Sequence, residues 1–454
     1  MPPSSAPGAG RPPGARSDSI PRATAGAAAC LTALLAYLLQ DLIGSRGQAA
    51  CGAVAFLLTI TACSRNVRAI DWRTVGWGVA IQWLLALFIL KLDIGGVRPG
   101  QAVFEHLGMA VSRFVEFAAA GGTFVFGGLA DPRAMSSVFP GGFVFAFTAL
   151  PAIIFVSSFF SVLYHFGILQ YMVRLMARAT MMVMRTSGAE TLSVAANVFL
   201  GHVESPLIVK PYVPLMTRSE LLAMMVGGLA TISGGMMVVY VGLGVDPVAI
   251  LATSVMAAPC SLYLAKILYP ETEQPLTRAG AVLPSERTYV NAIDAASAGA
   301  AEGTSLAINV AAMLIAFLAF IAMFDYVLGL AIPGLSLARI FATVFAPLAI
   351  LMGTPSSEVP AMADLLGTKL VANEMVAFIK MSAEYQDVLS ERSRVLAAYA
   401  LTGFANFGSI GILLGGIGGL APSRRGDIAS LSGLALLGGF FATLINACVA
   451  SILL

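Results

Sequence analysis

The chain has 454 residues, 58% hydrophobic and 11% charged, with a formal net charge of +2. An average soluble domain carries roughly 25% charged residues, so this composition leaves too little polar surface to cover a water-soluble globule and points to a lipid bilayer as the main solvent. It argues against a basic face for nucleic acid, against a disulfide framework or structural zinc site, because the five cysteines form no CxxC or Cys/His cluster, and against ATP hydrolysis, because no GxxxxGK[ST] loop is present.

Residues 1–24 are rich in Pro, Gly, Ala and Ser and carry Arg11, Arg16 and Arg22, which reads as a disordered basic tail. The apolar run that follows predicts a retained helix rather than a signal peptide, since no small-x-small cleavage site precedes a soluble domain. A hydrocarbon core of about 30 Å needs roughly 20 apolar helical residues. Nine stretches qualify or come close: 25–44, 48–63, 74–92, 144–166, 219–241, 247–268, 307–331, 394–418 and 431–453. The first is an extra N-terminal span. Residues 45–140 are assigned to scaffold helices with an interfacial segment, and 269–304 to a cytoplasmic loop. Two more apolar stretches, 187–214 and 340–382, are interrupted by Gly, Pro and ionisable residues and predict re-entrant hairpins.

Lys and Arg placement sets the orientation. With the tail in the cytoplasm, every even-numbered span exits at basic residues: Arg65, Arg68 and Arg73; Arg174, Arg178 and Arg185; Lys266, Arg278 and Arg287; Arg424 and Arg425. Residues 141–268 then run span, hairpin, span, span. Residues 305–454 repeat that order in the opposite orientation. Inverted repeats with broken helices at the midplane are a transporter design. The fold class is therefore an all-α polytopic membrane protein, an inverted-repeat transporter fold with two re-entrant hairpins and about nine transmembrane helices.

The hairpins carry the chemistry. The first contains Asn197, Gly201 and Glu204; the second contains Gly367, Lys369, Asn373 and Glu374. A charge at the bilayer centre costs about 2.5–3.5 kcal/mol on insertion scales, so Glu204 and Glu374 are expected to face a wet cavity or a partner. The plainer alternative puts both at hairpin ends near the interface. Each hairpin is followed by a span with a polar break, at 230–235 and at 403–411. Asn406 and Ser409 are three residues apart and share a helical face; there they offer an amide and a hydroxyl to a polyhydroxylated ligand. Ser233 reads better as interhelical glue. Asn197, unwound carbonyls near Leu200 and the hydroxyl of Thr231 make an uncharged oxygen set that suits Na⁺.

These residues resemble the concentrative nucleoside transporter family of the bacterial, sodium-coupled type. The likeness runs in order through Gly122-Thr-Phe-Val-Phe-Gly127, Gly188-Ala-Glu-Thr-Leu-Ser193, Pro206-Leu-Ile-Val-Lys-Pro-Tyr212, Thr217-Arg-Ser-Glu-Leu221, Asn373-Glu374 and Gly403-Phe-Ala-Asn-Phe-Gly-Ser-Ile-Gly411. It implies a homotrimer in the bacterial inner membrane that carries nucleosides by elevator-like alternating access. It also implies that Glu374, Asn406 and Ser409 hold ribose and that Glu204 helps hold the base, with Met236 and Phe404 near it. The same likeness makes Asn197, Leu200, Thr231 and Ile232 the sodium ligands. One departure stands out. The family reads Gly-Gln-Ser/Thr-Glu where this chain has Gly201-His202-Val203-Glu204, so the base side is altered and a shifted base preference is expected. A proton-coupled carrier, a channel and an intramembrane enzyme are the competing readings; no pore-lining ring of like charge and no nucleophile–base pair favours the last two.

Overall fold

The computed structural model describes residues 19–131, 134–135, 144–202, 204–278 and 289–454. Val203, the tail through residue 18 and the loop 279–288 with Arg287 lie outside them. Among the described residues the regular structure is helical, apart from an isolated bridge between Ile94 and Val97.

The helices α1 (Ser19–Leu38) and α2 (Gln40–Ala62) form an antiparallel pair. They correct the first span in two ways. Helix begins inside the stretch read as tail, and the chain turns at Leu39 rather than running on to residue 44. Gly44 then kinks α2 at φ 64°, a conformation glycine adopts without steric cost. Next come α3 (Trp72–Leu90) and α4 (Pro99–Phe126). The latter is long and apolar enough to cross a bilayer, although no span was predicted there. Then follow α5 (Phe145–His165), α6 (Ile168–Met184), α7 (Gly188–Ala196) and α8 (Ser205–Ile208), the last two being the arms of the first hairpin.

The broken span that follows is α9 (Arg218–Ala230) and α10 (Gly234–Gly242), and α11 (Pro247–Leu268) completes the first repeat. The second repeat opens with the 40-residue α12 (Ala292–Ala331). Its start corrects the loop read over 269–304, because Asn291 caps an alanine-rich run by accepting from Asp294 N, and alanine is the strongest helix former. The second hairpin comprises α13 (Leu337–Val344), α14 (Ala346–Leu351), α15 (Val359–Val371) and α16 (Glu374–Ala383). The second broken span is α17 (Glu391–Leu401) and α18 (Phe407–Leu420), and α19 (Arg425–Leu453) ends the chain. Eight helices among the described residues are long and apolar enough to span a membrane. The predicted span 394–418 is divided between α17 and α18, and 307–331 is the outer part of α12.

Two of the motifs singled out in the sequence are capping boxes. Ser187 and Glu190 cap α7 reciprocally, and Thr217 and Glu220 do the same for α9, satisfying backbone donors that a helix start leaves open. The boxes are tied together, since Ser187 Oγ donates to Glu220 Oε1 at 2.5 Å and Lys266 of α11 pairs with Glu190 at 2.7 Å. The starts of hairpin and broken span are thereby locked to the end of α11.

Helices α9, α11 and α19 are buried on nearly all sides, as helices apolar all round must be. Helices α2 and α3 join this core. The rings of Phe56 and Phe441 meet edge to face at 5.4 Å. Gln82 donates to Asn446 at 2.6 Å and accepts from Tyr263 at 2.8 Å. A second layer forms where α5 and α12 pack through small residues, with Gly299 against Ser161 and Gly303 against Ser157, the close approach that small side chains permit; α4 lies along α5.

Candidate functional site

The two broken spans cross at their breaks. Phe404 N donates to the Thr231 carbonyl at 3.2 Å, so one interruption supplies a partner for the other. Gly403 has φ 145°, and a Cβ there would lie 3.0 Å from the Leu229 carbonyl oxygen and 2.8 Å from Thr443. Only glycine lets the chains approach this closely. Each break ends in a polar cap that restarts the helix: Ser233 accepts from Met236 N at 3.3 Å, and Asn406 Oδ1 from Ser409 N at 2.8 Å.

Beside this crossing stands Glu374. Asn373 caps α16 by accepting from Val376 N at 2.8 Å, which places the Glu374 carboxylate in the first helical turn, where the helix dipole favours negative charge. The carboxylate is buried and accepts from Tyr240 Oη at 2.8 Å and from Asn406 Nδ2 at 3.1 Å. Glu374, Asn406 and Ser409, picked out separately in the sequence, are thus brought to one place. Tyr240 was missed. An aromatic in an apolar helix reads as core, yet Tyr240 lies one turn beyond Met236 on the same helical face, and that spacing was the available signal. Its ring packs on Phe378 at 4.6 Å.

His202 is buried against Phe404, with ring centroids 4.7 Å apart, and neither ring nitrogen has a hydrogen-bond partner. A Cβ on Gly228 would come within 2.8 Å of His202 Cβ, so α9 is hollowed to seat the imidazole. Met236 is buried nearby on α10. Glu204 does not join Glu374. It is exposed at the hairpin tip, its carboxylate folded over Gly201.

The first-repeat corner holds the residues read as sodium ligands. Asn197 is fully buried, accepts from Ser205 Oγ at 2.7 Å, and leaves Nδ2 without a partner. Its amide lies against Gly227 and Gly228 of α9. Thr231, which ends α9, donates to the Gly227 carbonyl at 3.0 Å and keeps oxygen lone pairs open. The Ser205 hydroxyl can donate or accept, so a half-turn of the Asn197 amide leaves its oxygen as the open atom. An uncharged oxygen set of this kind fits a hard monovalent cation. Leu200 lies in the unwound tip, and Ile232 is buried in the break. Away from this crossing, an apolar groove of about 440 Å³ between α4, α5 and α12 offers little to a ligand rich in hydroxyls.

Three family models match in succession: the N-terminus of Na⁺-dependent nucleoside transporters over residues 51–129, a nucleoside-recognition gate over 146–246, and the C-terminus of Na⁺-dependent nucleoside transporters over 249–451. The sodium/nucleoside cotransporter 1 of Mus musculus is 40% identical over 424 residues, covering 88% of this chain and 63% of that protein. An uncharacterized transporter of Haemophilus influenzae is 40% identical over 411 residues, covering 88% of this chain and 96% of its own length. The chain therefore spans somewhat less than two thirds of the mammalian cotransporter. The structure of CNTnw in an inward-facing substrate-bound state superposes with a TM-score of 0.85 at 36% identity, covering 89% of this chain and 97% of that one. A substituted form of CNTnw in an outward-facing state matches equally well, at a TM-score of 0.85. On the strength of these matches, this multi-pass membrane protein belongs to the Na⁺-dependent nucleoside transporter family.

Proposed function

We propose that the chain imports nucleosides by secondary active transport, driven by a sodium gradient. The observation that carries this is the buried Glu374 carboxylate, held by Tyr240 and Asn406 at the crossing of two interrupted helices. A carboxylate with one amide and one phenol already arranged around it is a receptor for vicinal hydroxyls. When ribose binds, its hydroxyl donors take acceptor positions on Glu374, and Asn406 and Ser409 complete the polar rim. The base lies toward Phe404, Met236 and His202, with Glu204 of the hairpin tip beside it. The open ring nitrogens of His202 offer one donor and one acceptor in the neutral imidazole, a set that differs from the side-chain amide the family carries there and is the basis of the shifted base preference proposed here.

Sodium, as co-substrate, sits between the first hairpin and the end of α9. Asn197, Thr231 and the carbonyls of Leu200, Thr231 and Ile232 hold it there. By drawing the hairpin onto α9 it seats His202 and so raises nucleoside affinity; reciprocal coupling requires the nucleoside to raise sodium affinity equally. Outward- and inward-facing forms of CNTnw support alternating access. This chain departs from the assignment of all of 45–140 to the scaffold: α2 and α3 are bolted to α11 and α19 and travel with the site, while α4, α5 and α12 stay as the frame. The frame's bare apolar face supports assembly as a homotrimer, and the basic residues at the ends of the even-numbered spans support a cytoplasmic N-terminus, in a bacterial inner membrane.

Uptake of labelled uridine, adenosine and inosine into proteoliposomes under an inward sodium gradient tests the reading. Accumulation should need that gradient, with purine nucleosides taken up ahead of uridine. Accumulation driven by a proton gradient without sodium would move the assignment to the proton-coupled alternative, and uridine uptake equal to that of the purines would remove the role given to His202.

A further inference from the structure

The two repeats place equivalent parts in equivalent positions. Glu204 and Glu374 open the second arms of the two hairpins, α9 corresponds to α17, and the break 231–233 corresponds to 402–406. In the first repeat, the C-terminal end of α9 meets a polar side chain from the first arm of the hairpin, Asn197. In the second repeat, the C-terminal end of α17 meets Lys369, from the last turn of α15. The Lys369 ammonium is fully buried and donates to the Ala400 carbonyl at 2.7 Å and to Thr443 Oγ1 at 2.8 Å. It also lies 5.4 Å from the centre of the Phe440 ring. Among the described residues no carboxylate is paired with it within 4.0 Å.

A buried ammonium with no carboxylate in contact is unusual, because buried charges are normally paired; the Glu374 carboxylate acts on it only from beyond ion-pair distance. Here a helix-end carbonyl, a hydroxyl and an aromatic face do the pairing. Carbonyls at a helix C-terminus have no partners within the helix and carry partial negative charge, and aromatic faces attract cations. These are the surroundings of a bound alkali cation rather than of an ion-pair member.

We propose that Lys369 is a tethered cation, standing in the second repeat where sodium stands in the first. The proposal rests on the sodium-site reading above. Each broken span ends in carbonyls without partners in their own helix, and positive charge beside them lets the opposing hairpin close. In the first repeat that charge is exchangeable and couples transport to the gradient. In the second it is covalently fixed, moves with the carrier in both directions, and adds nothing to the net charge carried. Lys369 is thus a positioning residue for Glu374, which lies five residues further along the same hairpin, and it limits the coupling to one sodium per nucleoside.

The charge-to-nucleoside ratio of the wild-type protein in proteoliposomes should be about one, with a sodium Hill coefficient of about one. A wild-type ratio of two overturns the proposal without any variant. Lys369→Asn removes the tether and supplies the amide found at Asn197; its Hill coefficient and charge ratio should both rise toward about two. Lys369→Met keeps the length and removes the charge, and should lose uptake while the protein stays inserted and monodisperse. Uptake by Lys369→Met with unchanged sodium dependence would leave Lys369 a mere packing residue. Asn197→Ala separates this from the reading beneath it: it should raise the sodium concentration for half-maximal uptake with Lys369 intact, and no shift there would sink the sodium site itself.

Discussion

At the scale of single residues, Glu374 decides most. Its two hydrogen-bond partners are both donors, so the carboxylate can accept from ligand hydroxyls without rearrangement. Glu374→Gln turns one acceptor oxygen into a donor that faces the donating groups of Tyr240 or Asn406. Hydrogen bonds to charged groups contribute about 1.5–3 kcal/mol each, so the loss of one or two should lower nucleoside uptake by roughly 10- to 100-fold or more. Membrane insertion should be unaffected, since the glutamine is isosteric. Uptake at the wild-type level with normal insertion would refute the ribose role. Both Glu374 and Asn406 were legible from sequence because an ionisable or amide group inside an apolar run is costly unless it serves a purpose. Tyr240 was not, because its spacing from Met236 places it on the site-facing side of the helix but does not say that its hydroxyl meets a carboxylate from another repeat. Lys369 was named in the second hairpin but given no role, because its partners, Ala400 and Thr443, come from two distant helices.

At the scale of elements, interruption matters more than length. The breaks at 231–233 and 402–406 free the backbone groups that bind one another and line the site. Gly403 is the pinch point of the second break. Gly403→Ala adds a Cβ against Thr443 and the Leu229 carbonyl at a φ of 145°, a strained position costing about 1–3 kcal/mol. The purified variant should melt at a lower temperature and transport more slowly. An unchanged melting temperature would show that the breaks do not touch as described. Gly-rich, polar interruptions made both broken spans and both hairpins readable in advance. Helix α4 was less so, because Glu105, His106, Arg113 and Glu116 depress its hydropathy. The start of α12 was hidden for a related reason: its first turns are rich in alanine but too polar to look like a span.

At the scale of the whole molecule, two layers are distinguished by what they bury. The core around α9, α11 and α19 is closed on itself, with α2 and α3 attached by a buried network through Gln82, Tyr263 and Asn446. Helix α12 instead leaves Ile315, Phe320, Met323, Phe324 and Leu330 exposed, a continuous apolar face suited to lipid or to copies of the same chain. In mild detergent the protein, 47.0 kDa per chain, should have a native mass of three chains, and a monomer mass would remove the homotrimer from the proposal. The sequence by itself determined that this is a helical membrane protein, where its helices break and that Glu374 and Asn406 lie deep, because each of these follows from the cost of placing polar atoms in hydrocarbon. Only the tertiary structure decided that the two breaks touch, that Tyr240 completes the setting of Glu374, that α2 and α3 belong to the core, and that Lys369 caps α17. Those outcomes depend on which helices become neighbours, and neighbours in space are chosen by packing across repeats far apart in the chain.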